Sequence, residues 1–151
     1  MKALQFVLVL MLLSRTALAA EDLVSLPSPH SPDATLSRLE AAVSARGLNV
    51  FARIDHAAGA ASVGQELRPT TLLIFGHPRG GTPLMQCAQT LGIDLPLKML
   101  VWQDEAGQVW LSYTPPATVA ARRDAQDCPA VANLGTVMSA LAQETVARGS
   151  E

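Results

Sequence analysis

Leu97-Lys-Met-Leu-Val-Trp-Gln103, Asp104-Glu-Ala-Gly107 and Gln108-Val-Trp-Leu-Ser-Tyr113 decide the fold. Two strand-like runs flank a short polar connection that ends on glycine, the pattern of a β-hairpin. Its strands are antiparallel, because parallel neighbours need a crossover of a dozen or more residues. An open parallel α/β sheet, with right-handed crossovers throughout, does not absorb such a pair easily. Trp102 and Trp110 fall on the two strands, where packing across the hairpin is their default use.

Working upstream, Thr70-Thr-Leu-Leu-Ile-Phe75 reads as a buried strand, and Gly76-His-Pro-Arg-Gly-Gly81 as the loop that follows it. Thr82 and Pro83 suit the cap and first turn of a helix carrying Leu84, Cys87, Ala88 and Leu91 on one face. Further back, Leu48 to Ile54 alternates as a strand does, and the alanine-rich Ala57 to Val63 is one or two helical turns. Leu36, Leu39, Ala42 and Val43 recur at helical spacing, with Ser31 and Asp33 as candidate caps, Pro32 in the first turn and Gly47 as the stop. Asp22 to Leu26 is a short strand ended by Pro27. Downstream of the hairpin, a last helix from about Val131 to Ala147 places Leu134, Val137, Met138, Leu141 and Val146 mostly on one side. The order is β-α-β-(α)-β-α-β-β-α. It predicts an α+β fold, a largely antiparallel sheet with helices packed on one face.

The N-terminus is of another kind. Lys2 is followed by an apolar run from Ala3 to Leu13 broken only by Gln5, and Ala17-Leu18-Ala19 offers the small residues that a signal peptidase reads. Residues 1–19 are expected to be a cleaved signal peptide, because an apolar run of about eleven residues is short of the roughly twenty that span a bilayer. Residues 20–151 then form one globular domain, periplasmic or secreted, with no membrane segment after cleavage. Cleavage removes two cations, Lys2 and Arg15, and no acid, taking the formal charge from −2 to about −4. A chain of that balance, with scattered arginines, lacks the basic stripe a nucleic-acid groove needs. Aromatic residues make up 4% of the chain, so its core must come from Leu, Val, Ile, Met and Ala.

Three groups of residues could carry chemistry. In the first, Gly80, Gly81 and Thr82 at a helix start, with His77 and Arg79, would bind a small anionic ligand through free backbone N–H groups and a guanidinium. A tight turn and a routine cap account for the same residues, and the Lys-Ser/Thr ending of a nucleotide-binding loop is missing. In the second, His56, His77, Met85 and Cys87 offer nitrogen and sulfur to Cu(I) or Zn(II), although no pair has a recognised ligand spacing. In the third, Asp55-His56 stands as a general-base pair, but strand neighbours point different ways and Asp55 serves equally as a helix cap. No nucleophile elbow or catalytic-cysteine segment is present, and no cofactor is predicted. Cys87 and Cys128 remain open between a disulfide, favoured by an oxidising compartment, and two separate thiols. The inward face assigned to Cys87 tilts the reading toward the latter.

Five segments in order carry a family resemblance: Leu48-Asn-Val-Phe-Ala-Arg-Ile-Asp-His-Ala-Ala-Gly-Ala-Ala61, Leu67-Arg-Pro-Thr-Thr-Leu-Leu-Ile-Phe-Gly76, Gly81-Thr-Pro-Leu-Met85, Gly92-Ile-Asp-Leu-Pro-Leu-Lys98 and Val109-Trp-Leu-Ser-Tyr113. Together, over Asp22 to Arg122 and loosely into the last helix, the chain resembles the family catalogued as domain of unknown function 302. The resemblance implies an α+β domain that forms a homodimer, and implies no reaction. The chain departs from the family at His77-Pro-Arg-Gly-Gly81, where Asn-Pro-Lys-Ala-Gly is usual. It departs again at Tyr113-Thr-Pro-Pro116, where Tyr-Asn-Asp-Pro is common. The leading expectation is a non-enzymatic exported domain that binds a small ligand or a protein partner. A metal-binding or redox-stress protein and an enzyme of unrecognised type are its rivals.

Overall fold

The computed structural model describes residues 22–149, so the expected signal peptide lies outside the described residues. In chain order the elements are β1 (Val24–Ser28), α1 (Pro32–Ala45), β2 (Asn49–Asp55), α2 (His56–Ser62), β3 (Thr70–Gly76), α3 (Pro78–Cys87), a 3-10 turn (Gln89–Ile93), β4 (Leu97–Gln103), β5 (Val109–Tyr113), α4 (Pro116–Ala121) and α5 (Ala130–Val146). The strands form one sheet in the order β1-β5-β4-β3-β2. Every neighbouring pair is antiparallel. The hairpin β4–β5 pairs Trp102 with Trp110 and closes through Gly107, whose φ of +83° is open to glycine without strain.

Period two then divides the sheet. Leu73, Phe75, Met99, Val101, Val109, Leu111 and Tyr113 point to one face, where Leu36, Leu39 and Val43 of α1 and Met138, Leu141 and Ala142 of α5 meet them in one core. A smaller cluster of Leu84, Leu91, Ala120, Ala125, Cys128 and Val131 lies under α3, α4 and the start of α5. The helix α1 starts as its sequence specifies, with the Ser31 hydroxyl accepting from the Ala34 N–H and Pro32 in the first turn. It stops at Gly47, φ +66°.

Four boundaries differ from expectation. β1 runs through Pro27, because β1 is an edge strand and a proline there opposes Trp110 without removing a ladder bond from its open side. α3 begins at Pro78, not at Thr82, and encloses both Gly80-Gly81 and Pro83. His77 is its cap: the ring Nδ1 accepts from the Arg79 N–H at 3.1 Å. The helix also ends sooner, since Ala88 is extended and Leu91 belongs to the 3-10 turn. Finally, a short helix not expected from the sequence, α4, starts on Pro116, whose fixed φ suits a first turn.

Candidate ligand pocket

Residues from four separate stretches enclose a cavity of about 300 Å³: Leu48 and Phe51 at the start of β2, Gly76 to Met85 around the start of α3, Leu95-Pro96-Leu97 before β4, and Asn133, Leu134 and Val137 on α5. Each stretch is there for a local reason. A bulge in β2 between Val50 and Ala52 makes Phe51 the extra residue of the pair with β3. The same residue approaches Gly76, where an added Cβ would sit 3.7 Å from the Phe51 ring and 3.8 Å from Pro96. Leu134 and Val137 are three apart on α5 and so share a face. Gly81 faces Leu95, 3.6 Å from where its Cβ would be.

The lining is mainly apolar. Its polar side chains are His77, Thr82 and Asn133. Nδ1 of His77 accepts the Arg79 N–H, which leaves Nε2 as the ring's other hydrogen-bonding atom. The N–H groups that an anion would use are already engaged. Pro78 has none, Arg79 N–H donates to His77 Nδ1, and the Gly80 and Gly81 N–H groups donate to the His77 carbonyl at 2.9 and 3.2 Å. Thus His77, Gly80, Gly81 and Thr82 do gather at one cavity, while the exposed Arg79 is not part of its wall. The first N–H groups of α3 are thus held by the cap residue instead of pointing free.

The metal set does not assemble. Asp55 pairs with Thr71 and Asn49 with Gly76, so His56 and His77 lie at opposite ends of the β2–β3 pair, roughly 20 Å apart at 3.3 Å per residue. Cys87 is joined to Cys128 by a disulfide with Cα atoms 5.9 Å apart, which removes the thiolate. Cys87, the last residue of α3, is exposed rather than inward. Among the described residues no three His, Cys, Asp or Glu side chains gather as a metal site. Asp55 takes the capping role, accepting from the Ala58 N–H at 2.9 Å at the start of α2.

A second cavity of about 270 Å³ lies on the other side of Leu95, Leu97 and Leu134 and is lined partly by charge. Its charged groups are occupied. The Lys98 ammonium donates to the Asp94 and Pro96 carbonyls at 2.6 and 3.0 Å. Burial pulls the Lys98 pKa down, with the Asp94 charge opposing. Arg123 Nε donates to Asp94 Oδ2 at 2.7 Å, and Arg122 pairs with Asp22 at 3.1 Å.

Sequence reasoning missed Phe51, Pro96, Asn133, Leu134 and Val137. The spacing of Leu134 and Val137 marked a buried face, but no local signal connects that face to α3.

A five-stranded antiparallel sheet, covered on one face by α1 and α5 and carrying an apolar pocket beside α3, defines an α+β domain. The chain belongs to the family described as domain of unknown function DUF302, whose pattern matches residues 24–142. A crystal structure of an uncharacterized conserved DUF302 protein from Bacillus stearothermophilus has the same fold, with a TM-score of 0.77 over 83% of this chain and 99% of that one, at 16% identity. The chain is also 48% identical over 100 residues to a protein of Brucella suis named Fluoride-specific ion channel FluC 1, covering 66% of this chain and 39% of that protein. The Brucella abortus protein of that name matches equally, over 37% of its length. The chain thus spans well under half of these relatives. No helix among the described residues is long and apolar enough to cross a membrane.

Proposed function

We propose that this chain is an exported, non-enzymatic domain that holds a small ligand with an apolar body in the cavity between Phe51, α3 and α5. One observation carries the reading: a mainly apolar cavity of about 300 Å³ with the His77 ring in its wall. Pockets of this size and character suit small organic ligands. A carbonyl or carboxylate oxygen matches His77 Nε2, and the hydrocarbon part matches Leu48, Phe51, Leu97 and Val137. The wall holds no carboxylate and no thiol, which supports binding over turnover. The Cys87–Cys128 bond supports an oxidising compartment, and with it export.

Octanoate is a suitable probe, having a carboxylate on a short hydrocarbon. It is expected to raise the melting temperature of the mature protein, and native mass spectrometry of protein isolated from the periplasm is expected to show one small co-purified molecule. Gly81→Leu fills the cavity toward Leu95 and abolishes both. An octanoate shift of equal size in Gly81→Leu, or none in the unmodified protein together with an empty native mass, defeats the proposal.

A second reading follows from the relatives. Proteins named as fluoride channels carry this domain within a chain more than twice as long as the match. The domain then serves beside a membrane transport protein, and co-purification with a membrane-embedded channel from its native host tests that role.

A further inference from the structure

The chain has nine arginines and two lysines, and with Lys2 in the expected signal peptide, Lys98 is the one lysine of the mature domain. It is the second residue of β4 and stands in the wall of the second cavity, the one of about 270 Å³. Leu84, Leu91, Leu95, Val119 and Leu134 make much of the remaining wall apolar. Five arginines among the described residues pair with carboxylates, and Lys98 does not. Its ammonium meets neutral acceptors instead, the Asp94 carbonyl at 2.6 Å and the Pro96 carbonyl at 3.0 Å. The other charged groups of the wall are Asp94, whose carboxylate goes to Arg123 at 2.7 Å, and Arg122, paired with Asp22 at 3.1 Å.

We infer that Lys98 is a covalent capture site, its amine condensing reversibly with a small apolar aldehyde held in this cavity. An ammonium has three hydrogens, and two of these are spent on the Asp94 and Pro96 carbonyls. The third has no protein partner among the described residues, so its loss breaks no hydrogen bond within the chain. A neutral amine keeps both carbonyl contacts and gains a lone pair where that hydrogen was. The surroundings favour the loss: burial pulls the Lys98 pKa down, with the Asp94 charge opposing. An arginine could hold the same two carbonyls but would stay protonated, whereas a desolvated lysine becomes a nucleophile.

The reaction needs no oxidant or reductant. The nitrogen lone pair attacks the carbonyl carbon, and a C–N bond forms as the C=O π pair moves onto oxygen. A proton passes from nitrogen to that oxygen through water, giving a carbinolamine. The C–O bond then breaks, the hydroxyl leaves with a proton as water, and the nitrogen pair closes the C=N bond. A neutral carbonyl compound suits the site better than an acid does, because Arg122 and Arg123 are already matched by Asp22 and Asp94. The apolar wall takes the hydrocarbon part of the aldehyde and limits the water that would reverse the condensation. Capture is stoichiometric, and it does not rest on the ligand of the α3 cavity.

Hexanal with cyanoborohydride tests this on the mature protein, since reduction fixes the imine as a secondary amine. The intact mass is expected to rise by one hexyl group, and peptide mapping to place it on Lys98 and not on the α-amino group. Hexanal is expected to label Lys98 on the order of tenfold or more faster than acetaldehyde, because its longer chain is buried in the cavity. Labelling is also expected to reach its plateau at a lower pH than that of Nα-acetyllysine in the same solution. Val119→Trp, which fills the cavity, is expected to abolish the preference for hexanal, and Lys98→Arg to take no label while remaining folded by circular dichroism. A folded parent protein without a hexyl group on Lys98 overturns the inference. Labelling there with neither a chain-length preference nor a pH profile distinct from Nα-acetyllysine overturns it too, because that is the behaviour of an ordinary surface amine.

Discussion

Trp110 donates its indole N–H to Asp104 Oδ2 at 2.8 Å, so the second strand of the hairpin grips the acid that opens its turn. The other carboxylate oxygen accepts the Gln108 N–H at 2.9 Å, while the Asp104 N–H donates back to the Gln108 carbonyl at 3.0 Å. The Asp104 carboxyl is held below its usual range, first by the indole hydrogen bond, then by the backbone N–H bonds of Gln108 and Ala106 and the charge of Arg68, with desolvation opposing.

That direction fixes a pH dependence. A carboxyl depressed on folding stabilises the fold above its unfolded value of about 3.9, and the contribution is lost as pH falls through the lower folded value. Asp104→Asn is therefore expected to be less stable than the parent at neutral pH and to lose less on acidification below about pH 4. Urea denaturation at neutral and acid pH measures both. An acid limb identical to that of the parent protein removes the coupling.

The hairpin was legible because everything that makes it is local: two strand-forming runs, an acid at the turn and a glycine that takes a positive φ. Helix α1 was legible for the same reason, with Ser31, Pro32 and Gly47 marking both ends. The start of α3 was not, because Thr82-Pro83 is a stronger written cap than His77-Pro78, and the structure uses the weaker one. What decided it was His77 Nδ1, whose acceptance of the Arg79 N–H is a conformational fact with no sequence period. The cavity was legible only in part. His77, Gly80, Gly81 and Thr82 lie on one stretch of chain, whereas Phe51, Pro96 and Val137 reach it through a bulge, a turn and a helix face that meet only in three dimensions.

The Cys87–Cys128 bond ties the end of α3 to the turn before α5, closing a loop across 41 residues of sequence. Cross-linking a loop of that length restricts the unfolded chain and is worth about 3–4 kcal/mol. The paired substitution Cys87→Ala with Cys128→Ala is expected to lower the melting temperature by roughly 10–15 °C for a domain of this size. Dithiothreitol is expected to bring the parent protein to the same value. A reductant-insensitive melting curve counts against the bond.

Arg38 extends from α1 to the end of α5, donating Nε to the Thr145 carbonyl at 2.8 Å and Nη2 to the Glu144 and Ala147 carbonyls at 3.2 and 2.9 Å. These carbonyls belong to the last turn of α5 and its cap, where the Glu144 carbonyl also accepts the Ala147 N–H at 3.4 Å, and a cation there meets the negative end of the helix dipole. His30 adds a ring bond from Nε2 to the Ala147 carbonyl at 2.9 Å. Arg38→Ala is expected to cost about 2 kcal/mol by urea denaturation, the range for hydrogen bonds made by a charged group. Arg38→Lys keeps the charge but not the fork, so it should fall between the two. A loss in Arg38→Ala too small to measure would mean that water replaces the guanidinium without penalty.

The cap on α3 leads to a prediction about anions. A helix start attracts phosphate when its first N–H groups point outward unengaged. Here the Arg79 N–H is held by His77 Nδ1, and those of Gly80 and Gly81 by the His77 carbonyl. Inorganic phosphate is therefore expected to leave the melting temperature unchanged in the parent protein and in Arg79→Ala alike. His77→Ala removes the side-chain acceptor and frees one N–H at the helix start. It is expected to melt lower, in line with a lost cap of about 1 kcal/mol, and to lose the ring from the cavity wall. A melting shift with phosphate that disappears in Arg79→Ala would show that the guanidinium and the helix start act together on anions, and that His77 gives up its hold when one arrives.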